Sequence, residues 1–359
     1  MFCADLQARE QVYKHNRELR GDDLVALEQV VTYCNQPDVQ CKALILGGDQ
    51  VDSPRIGDDH VIQLRQILRG CEAPVYYIDG NHERGFRRLE LEGGDASVAT
   101  NLEDGEDFLF GDFGVTGYNW RSRRDWEEWI SADSGERYSD ILILHGFADQ
   151  AAAELGLPTG AVGLGDFDIN WFDGKCKLCL MGDIHQPMHF VGAEHGTNFH
   201  YPGSMWMHRS NEPTDKQFLV VDENLEVASI CLETRPFFKA NVRTGAEMSK
   251  LLAQVLKAPS PSDSRIQKPR VHLDLYENSF DKEVEILRQH AHLFVRVHPS
   301  KTVTEVVNVT AETGLIDLKL AINAVVDEEE EDVRLFINEM FESTVDDATE
   351  QLRKKLGVN

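Results

Sequence analysis

The sequence predicts an α/β protein organised on parallel strands, and three observations carry that prediction. Short continuous apolar runs at 43–46, 75–78 and 141–144 read as strands buried on both faces. Segments with apolar side chains at helical spacing separate the first of these runs, so strand and helix alternate. The runs end in glycine or in a carboxylate, amide or imidazole, which puts chemistry at the carboxyl edge of the strands, where open α/β sheets bind ligands.

The chain opens on Asp5-Leu-Gln7, a carboxylate and an amide at the end of a short strand over residues 2–4. So short a strand leads us to expect a native start upstream of Met1. Residues 22–36 carry Leu24, Leu27, Val30, Val31 and Cys34 on one stripe and read as a helix. It crosses over to strand 43–46, a βαβ unit ending in Gly47-Gly48-Asp49 and followed by Asp52. A helix near 60–69 leads to strand 74–79 and then to Gly80-Asn81-His82-Glu83. Residues 102–120 are β-like, and a helix opens around 126–130. Strand 140–144 ends at His145, and strand 177–181 ends at Gly182-Asp183-Ile184-His185. Asp183 and His185 are two apart, so in extended chain both face the same way.

Beyond 191 the character changes. Tyr201-Pro-Gly-Ser204 signals a turn, 217–222 and 225–232 read as strands, and the sheet-rich part ends near 238. A helix at 246–256, a Pro/Ser-rich linker-like stretch at 258–263, strands at 271–276 and 293–297 and a helix at 282–289 describe a small α/β cap. The expected domains are 1–238, the cap at 239–316, and a helical tail at 317–359 whose acidic run 327–332 suits the first turn of a helix.

With 359 residues, 42% hydrophobic and 27% charged, the chain is long enough for one large core and a second small unit. No apolar segment is long enough to span a bilayer, and the first residues are too few and too polar for a signal peptide. Seven cysteines without framework spacing fit reduced thiols in a cytoplasm. Cys176-Lys-Leu-Cys179 falls in a strand, where its spacing is expected to put the sulfurs on opposite faces, against a zinc knuckle. A net charge of -26 repels polyanions, so nucleic-acid binding requires a local basic track or a basic partner. Arg84, Arg87 and Arg88, with Arg121, Arg123 and Arg124 beside Trp120 and Trp126, are candidates for such a track.

Collected, the strand-end residues are Asp5, Gln7, Asp49, Asn81, His82, His145, Asp183 and His185. This mixture suits a pair of borderline-hard divalent ions, Mn2+ first and Mg2+ second, rather than a thiolate zinc site. Two such ions about 3.5–4 Å apart clamp a phosphate ester. One carboxylate must bridge them, and Asp49, on the central strand, is the natural choice.

The order Asp-x-x, Gly-Asp-x-x-Asp, Gly-Asn-His-Glu, a strand-end His and Gly-x-x-His resembles the calcineurin-like metallophosphoesterase superfamily over about residues 1–235. Gly48-Asp-x-x-Asp52 together with Gly80-Asn-His-Glu83 is the specific part. Tyr201-Pro-Gly-Ser204, Thr234-Arg-Pro-Phe237 and the following small cap look like SbcD-type nuclease subunits, including those of bacteriophages. The resemblance implies a four-layer αββα metallophosphoesterase sandwich with a small C-terminal α/β cap and helical tail. It implies one metal on Asp5, Gln7, Asp49 and His185, a second on Asp49, Asn81, His145 and Asp183, and His82 as the proton donor to the leaving oxygen. Gln7 and Asp183 stand where the family usually has histidine, which implies harder ligands and an altered metal preference. A manganese-dependent DNA nuclease is implied, working with an SbcC-like coiled-coil ATPase docked near 317–356, in a cytoplasm or in that of a phage host; a homodimer is a further expectation. A phosphoesterase of small phosphodiesters, nucleotides or phosphoproteins, and a degenerate scaffold, are the alternatives.

Overall fold

Strand pleating sorts the apolar residues of this chain into layers. The computed structural model describes residues 1–9, 21–83, 98–102, 107–132, 139–155, 165–276 and 280–298. These belong to the first of two compact units, Met1–Pro299 and Ser300–Asn359. Arg84, Arg87, Arg88 and the expected helical tail lie outside the described residues.

The first sheet contains β1 (Phe2–Cys3), β2 (Leu44–Gly47), β3 (Val75–Ile78) and β4 (Thr100–Asn101), which run parallel, and β11 (Lys216–Val221) and β12 (Val227–Leu232), which close the other edge antiparallel. Its order is β12-β11-β1-β2-β3-β4. The second contains β5 (Asp107–Phe110), β6 (Phe113–Gly117), β7 (Ser139–His145), β8 (Cys176–Gly182), β9 (Met188–Val191) and β10 (Asn198–Tyr201), in the order β5-β6-β7-β8-β10-β9. Its four central strands are parallel and its two edges antiparallel.

Alternate residues of one strand serve different layers. Ile45 joins Phe2, Ile78, Ile143 and Leu180 in a core between the two sheets, while Leu44 and Leu46 face α1 (Asp22–Cys34) and α2 (Asp58–Arg69). On the far side, Leu142 and Leu144 pack with Trp126 of α3 (Arg123–Ala132) and Ala151 of α4 (Asp149–Glu154). The layering is therefore αββα, and each such aliphatic side chain contributes about 1.5–3 kcal/mol of gross burial. Gly47 is required by this packing, since a Cβ there would meet the Phe2 ring at 2.3 Å.

One sequence expectation is corrected here. Cys176 and Cys179 do not face opposite ways but share the outer cluster of the second sheet. Cys176 has just left the turn closed by Lys175 N–H donating to Phe172 O, and the strand alternation starts after it.

A separate three-stranded parallel sheet, β13 (Phe237–Val242), β14 (Arg270–Leu275) and β15 (His292–Val297), packs Val271, Leu273 and Leu275 against α5 (Gly245–Leu256) and α6 (Asp281–His290). The 258–263 stretch is a loop between α5 and β14. Before this unit, Arg235 pairs with Asp22 at 2.7 Å and donates to the carbonyls of Arg265 and Lys268. No described helix is long and apolar enough to cross a membrane.

Candidate metal centre

All eight strand-end candidates are described, and the fold brings them to one edge of the sandwich. Four of the six non-glycine residues with positive φ among the described residues are there: Asp5 (53°), Gln7 (39°), Asp49 (52°) and Asp183 (99°). Backbone held this way costs free energy, and short polar side chains tolerate it best. The hydrogen bonds that hold it run between the loops: Asp5 N–H donates to Gly48 O at 3.1 Å, Gln7 N–H to Asp49 O at 2.7 Å and Ala8 N–H to Gln50 O at 2.9 Å.

Asp49 is 1% exposed and lies at the centre. Its Oδ1 accepts from His82 N–H at 3.1 Å and lies 3.4 Å from His145 Nε2; its Oδ2 accepts from Gln7 Nε2 at 3.2 Å. Burial pushes this carboxyl up, but the nearby charges of His145 and His82 and the His82 backbone N–H outweigh it and hold Asp49 at about 2. Asp49 is therefore ionised. Asp5, wholly buried, is driven up to about 7 by desolvation, against the pull of His145 and His185, and both its oxygens accept from Asp183 N–H at 3.0 Å. Asp183 is also raised by burial. Two glycines make this crowding possible: a Cβ at Gly48 would sit 2.2 Å from His145 Nδ1, and one at Gly80 2.1 Å from Asp49 Oδ1.

His145 tests whether these residues fit a cation. Its Nδ1–H donates to Gly47 O at 2.8 Å, which leaves Nε2 as the lone-pair nitrogen of the neutral ring. That nitrogen is buried without a hydrogen-bond partner and faces Asp49 Oδ1 at 3.4 Å and Asp183 Oδ1 at 3.7 Å. A lone pair facing two carboxylates is repulsive, so a positive charge belongs between them. Burial favours the neutral ring, yet Asp49, Asp5 and Asp183 raise its pKa well above the ordinary value. The Oδ1 of Asn81 is likewise buried without a hydrogen-bond partner. Asp5, Asp49 and His145 bring ligand atoms within 4.8 Å of one another. The donor set, oxygen and imidazole without sulfur, fits a borderline-hard divalent ion.

His82 is more open than Asp183 and His185, and far more than Asp5, Asp49 and His145, with 37% of its side chain exposed. Its Nδ1–H donates to Asp52 O at 2.7 Å, and Nε2 is 3.8 Å from Asp49 Oδ2. Beneath this turn Glu83 is fully buried and accepts from Asp49 N–H (2.9 Å), Gly80 N–H (2.7 Å) and Val51 N–H (2.9 Å).

His185 is held from behind by residues that sequence reasoning missed. Its Nδ1–H donates to Glu212 Oε1 at 2.7 Å. Glu212 Oε2 accepts from Lys216 Nζ (2.9 Å), Ser204 Oγ (3.2 Å) and His208 N–H (3.1 Å). Burial raises Glu212, and the His185 hydrogen bond and the Lys216 charge more than offset it, holding it at about 2. His208 is 4% exposed, donates from Nε2 to Asp5 O at 3.2 Å and lies tilted against Trp206 with ring centroids 4.2 Å apart. The available signal was a lysine opening the apolar strand 217–221 with a carboxylate four residues before it.

The described arginines of the expected basic track are engaged within the chain. Arg121 lies over the rings of Tyr118, Trp126 and Trp129 at 5.1, 5.0 and 5.9 Å. Arg123 pairs with Asp149 at 2.9 Å and donates to Gly165 O, and Arg124 pairs with Glu128 at 2.9 Å. Trp126 is completely buried and packs the outer core, so it presents no face to a nucleobase.

The calcineurin-like phosphoesterase family model matches residues 1–203, more than half of the 359-residue chain. A search of curated proteins returns no significant match. Among solved structures, a novel archaeal phosphodiesterase is 12% identical, with a TM-score of 0.36 over 64% of this chain and 98% of that one. Zinc-complexed Vps29 of Entamoeba histolytica is also 12% identical, with a TM-score of 0.29 over 64% of this chain and 96% of that one. Both scores are too low to bear on function. The family match, by contrast, spans every strand that delivers a candidate ligand, from Asp5 to His185. The chain belongs to the calcineurin-like phosphoesterases, a family of metal-dependent hydrolases.

Proposed function

We propose that this protein hydrolyses DNA phosphodiesters as the manganese-dependent nuclease subunit of an SbcC/SbcD-like pair. The observation that carries the hydrolytic reading is a partly exposed His82 set over a buried cluster whose His145 Nε2 faces carboxylates without a hydrogen-bond partner. What supports the nuclease reading is the α/β unit of β13–β15 following Thr234-Arg-Pro-Phe237, as the SbcD-type resemblance implies. DNA and a coiled-coil ATPase are the proposed partners, the latter docking on 317–356. A basic partner surface also answers the repulsion set up by a net charge of -26.

Asp5, Gln7, Asp49 and His185 would hold one ion, and Asp49, Asn81, His145 and Asp183 the other. Bound divalent ions supply positive charge to the phosphate and acidify the attacking water. Asp49, held ionised, offers both oxygens for bridging. The Nδ1–H bond of His82 to Asp52 O fixes its tautomer and leaves Nε2 on the side of Asp49, where in its protonated form it would donate to the leaving oxygen. Glu212 keeps the His185 ring turned so that Nε2 is the ligating nitrogen.

One observation favours the scaffold alternative. Gln7 aims its amide nitrogen at Asp49 Oδ2 at 3.2 Å, a donor where a ligand must present an acceptor. Turning that amide over restores a ligand. Incubating the purified protein with manganese and end-labelled DNA, beside a chromogenic phosphodiester and the His82→Ala variant, separates these readings. DNA degradation that His82→Ala loses is expected. Turnover of the chromogenic ester with intact DNA would leave a small-substrate phosphodiesterase, and absence of manganese binding would leave a scaffold. Degradation that persists in His82→Ala would mark a contaminant and remove the claim.

A further inference from the structure

Seven cysteines scattered along the sequence are not scattered in the fold. Cys34 ends α1, Cys41 precedes β2 and Cys71 follows α2, so all three meet where the chain enters the first sheet, at the opposite end of β2 and β3 from Asp49 and His82. Cys71 Sγ and Cys34 Sγ lie within hydrogen-bond distance at 3.5 Å, and Cys34 interacts with Cys41 as well. The approach is fixed by a clamp: Asn35 Nδ2 donates to Gly70 O at 2.7 Å, and Asn35 Oδ1 accepts from Glu72 N–H at 2.9 Å. The residue after Cys34 thus grips the residues on both sides of Cys71. Cys34 is 4% exposed, whereas Cys41 and Cys71 are half-buried and reachable from solvent.

We infer that Cys34, Cys41 and Cys71 form an oxidant-sensitive thiol site that takes a hydroperoxide and closes a Cys34–Cys71 disulfide, with Cys41 as an exchange thiol. The Cys71 thiolate attacks the peroxide, breaking its O–O bond and forming an S–O bond, and the alkoxide leaves as an alcohol (water, for hydrogen peroxide). The Cys34 sulfur then attacks the sulfenic sulfur, the S–S bond forms and water departs with the Cys34 proton. Two thiols lose two electrons and two protons, and the peroxide is reduced to alcohol and water. The Cys41 thiolate next attacks Cys34 and expels the Cys71 thiolate, which moves the disulfide without net oxidation.

Two further observations favour this chemistry. The hydrogen bond from Cys34 lowers the pKa of Cys41 to about 6 and that of Cys71 below the ordinary thiol range, so the two accessible sulfurs are the nucleophilic ones. The other cysteine pair, Cys176 and Cys179, is fully buried, and Cys179 is raised by that burial, so it is closed to oxidants.

The test is treatment of the whole reduced protein with hydrogen peroxide, then alkylation and peptide mass spectrometry without reductant. A Cys34–Cys71 cross-linked peptide that dithiothreitol removes is expected. In Cys71→Ser the cross-link moves to Cys34–Cys41, and in Cys34→Ser no link forms between Cys41 and Cys71. Because Cys34 is buried, Cys71→Ser and Cys41→Ser, both half-buried positions, decide the matter if Cys34→Ser misfolds. Absence of any link in the wild type, or a Cys41–Cys71 link in Cys34→Ser, would overturn the inference. So would an equivalent of added zinc that protects all three thiols from alkylation and is lost in Cys71→Ser, which would make the trio a thiolate metal site.

Discussion

At their carboxyl ends β2 and β3 deliver Asp49, Asn81 and His82, while the segments that enter the same strands carry Cys41 and Cys71. In the first group Asp49 lies in backbone with positive φ and Asn81 carries a buried acceptor; in the second both cysteines lie in half-buried loops, and the one holding Cys71 is clamped by Asn35. Oxygen and imidazole gather at one end and sulfur at the other, so a hard divalent ion and a soft oxidant are each offered a different end of one sheet. The difference teaches that burial, not residue type alone, assigns the chemistry. Asp49 is of use because it is desolvated yet stays ionised. Cys71 is of use because it is not desolvated completely.

The most severe way to break the comparison is His82→Ala. Loss of the proton donor is expected to lower kcat by about 10²–10⁴, with manganese binding, followed by calorimetry, and Cys34–Cys71 oxidation both unchanged. Ile45→Ala strikes the core beneath both ends. Deleting those methyls should cost about 3 kcal/mol of stability, and denaturant unfolding followed at Trp206 and by thiol accessibility should shift by the same amount. Glu212→Gln leaves the thiol end alone and weakens the hold on His185, for an expected loss of roughly 10–100-fold in manganese affinity, read by titration. At the other end, Cys34→Ala returns Cys41 to the ordinary thiol range. Its thiolate then forms above about pH 8 rather than from about 6, so alkylation at pH 6 should slow by about tenfold once the greater nucleophilicity of the more basic thiolate is allowed for. Smallest of all, Cys71→Ala should leave phosphoester turnover within about twofold, as expected of separated sites.

The αββα core was legible because the strands of a doubly covered sheet are continuous apolar runs, and residues such as Ile45 and Ile143 declare themselves in them. The eight strand-end residues were legible for a related reason, since each apolar run stops at a polar side chain that a turn alone does not need. Glu212 was not, because its value comes from His185, Ser204 and Lys216 meeting around it, and only folding brings these together. The setting of Arg123 was not legible either: nothing local in Arg121–Arg124 shows that Asp149 of α4 and the Gly165 carbonyl receive it. Cys34 and Cys71, thirty-seven residues apart, approach only because α1 and α2 lie side by side on the first sheet.

Glu83 joins two turns that arise from different strands, taking the N–H groups of Asp49 and Val51 on one side and of Gly80 on the other. In the language of hydrogen exchange these three amides are expected to open together, since all three donate to one buried carboxylate. Deuterium should therefore enter Asp49, Val51 and Gly80 at one common rate, and Glu83→Gln should split that rate into separate ones. The carboxylate proposed to bridge and the histidine proposed to give the proton are thus tied together through one buried side chain that is itself neither a proposed ligand nor a proposed proton donor.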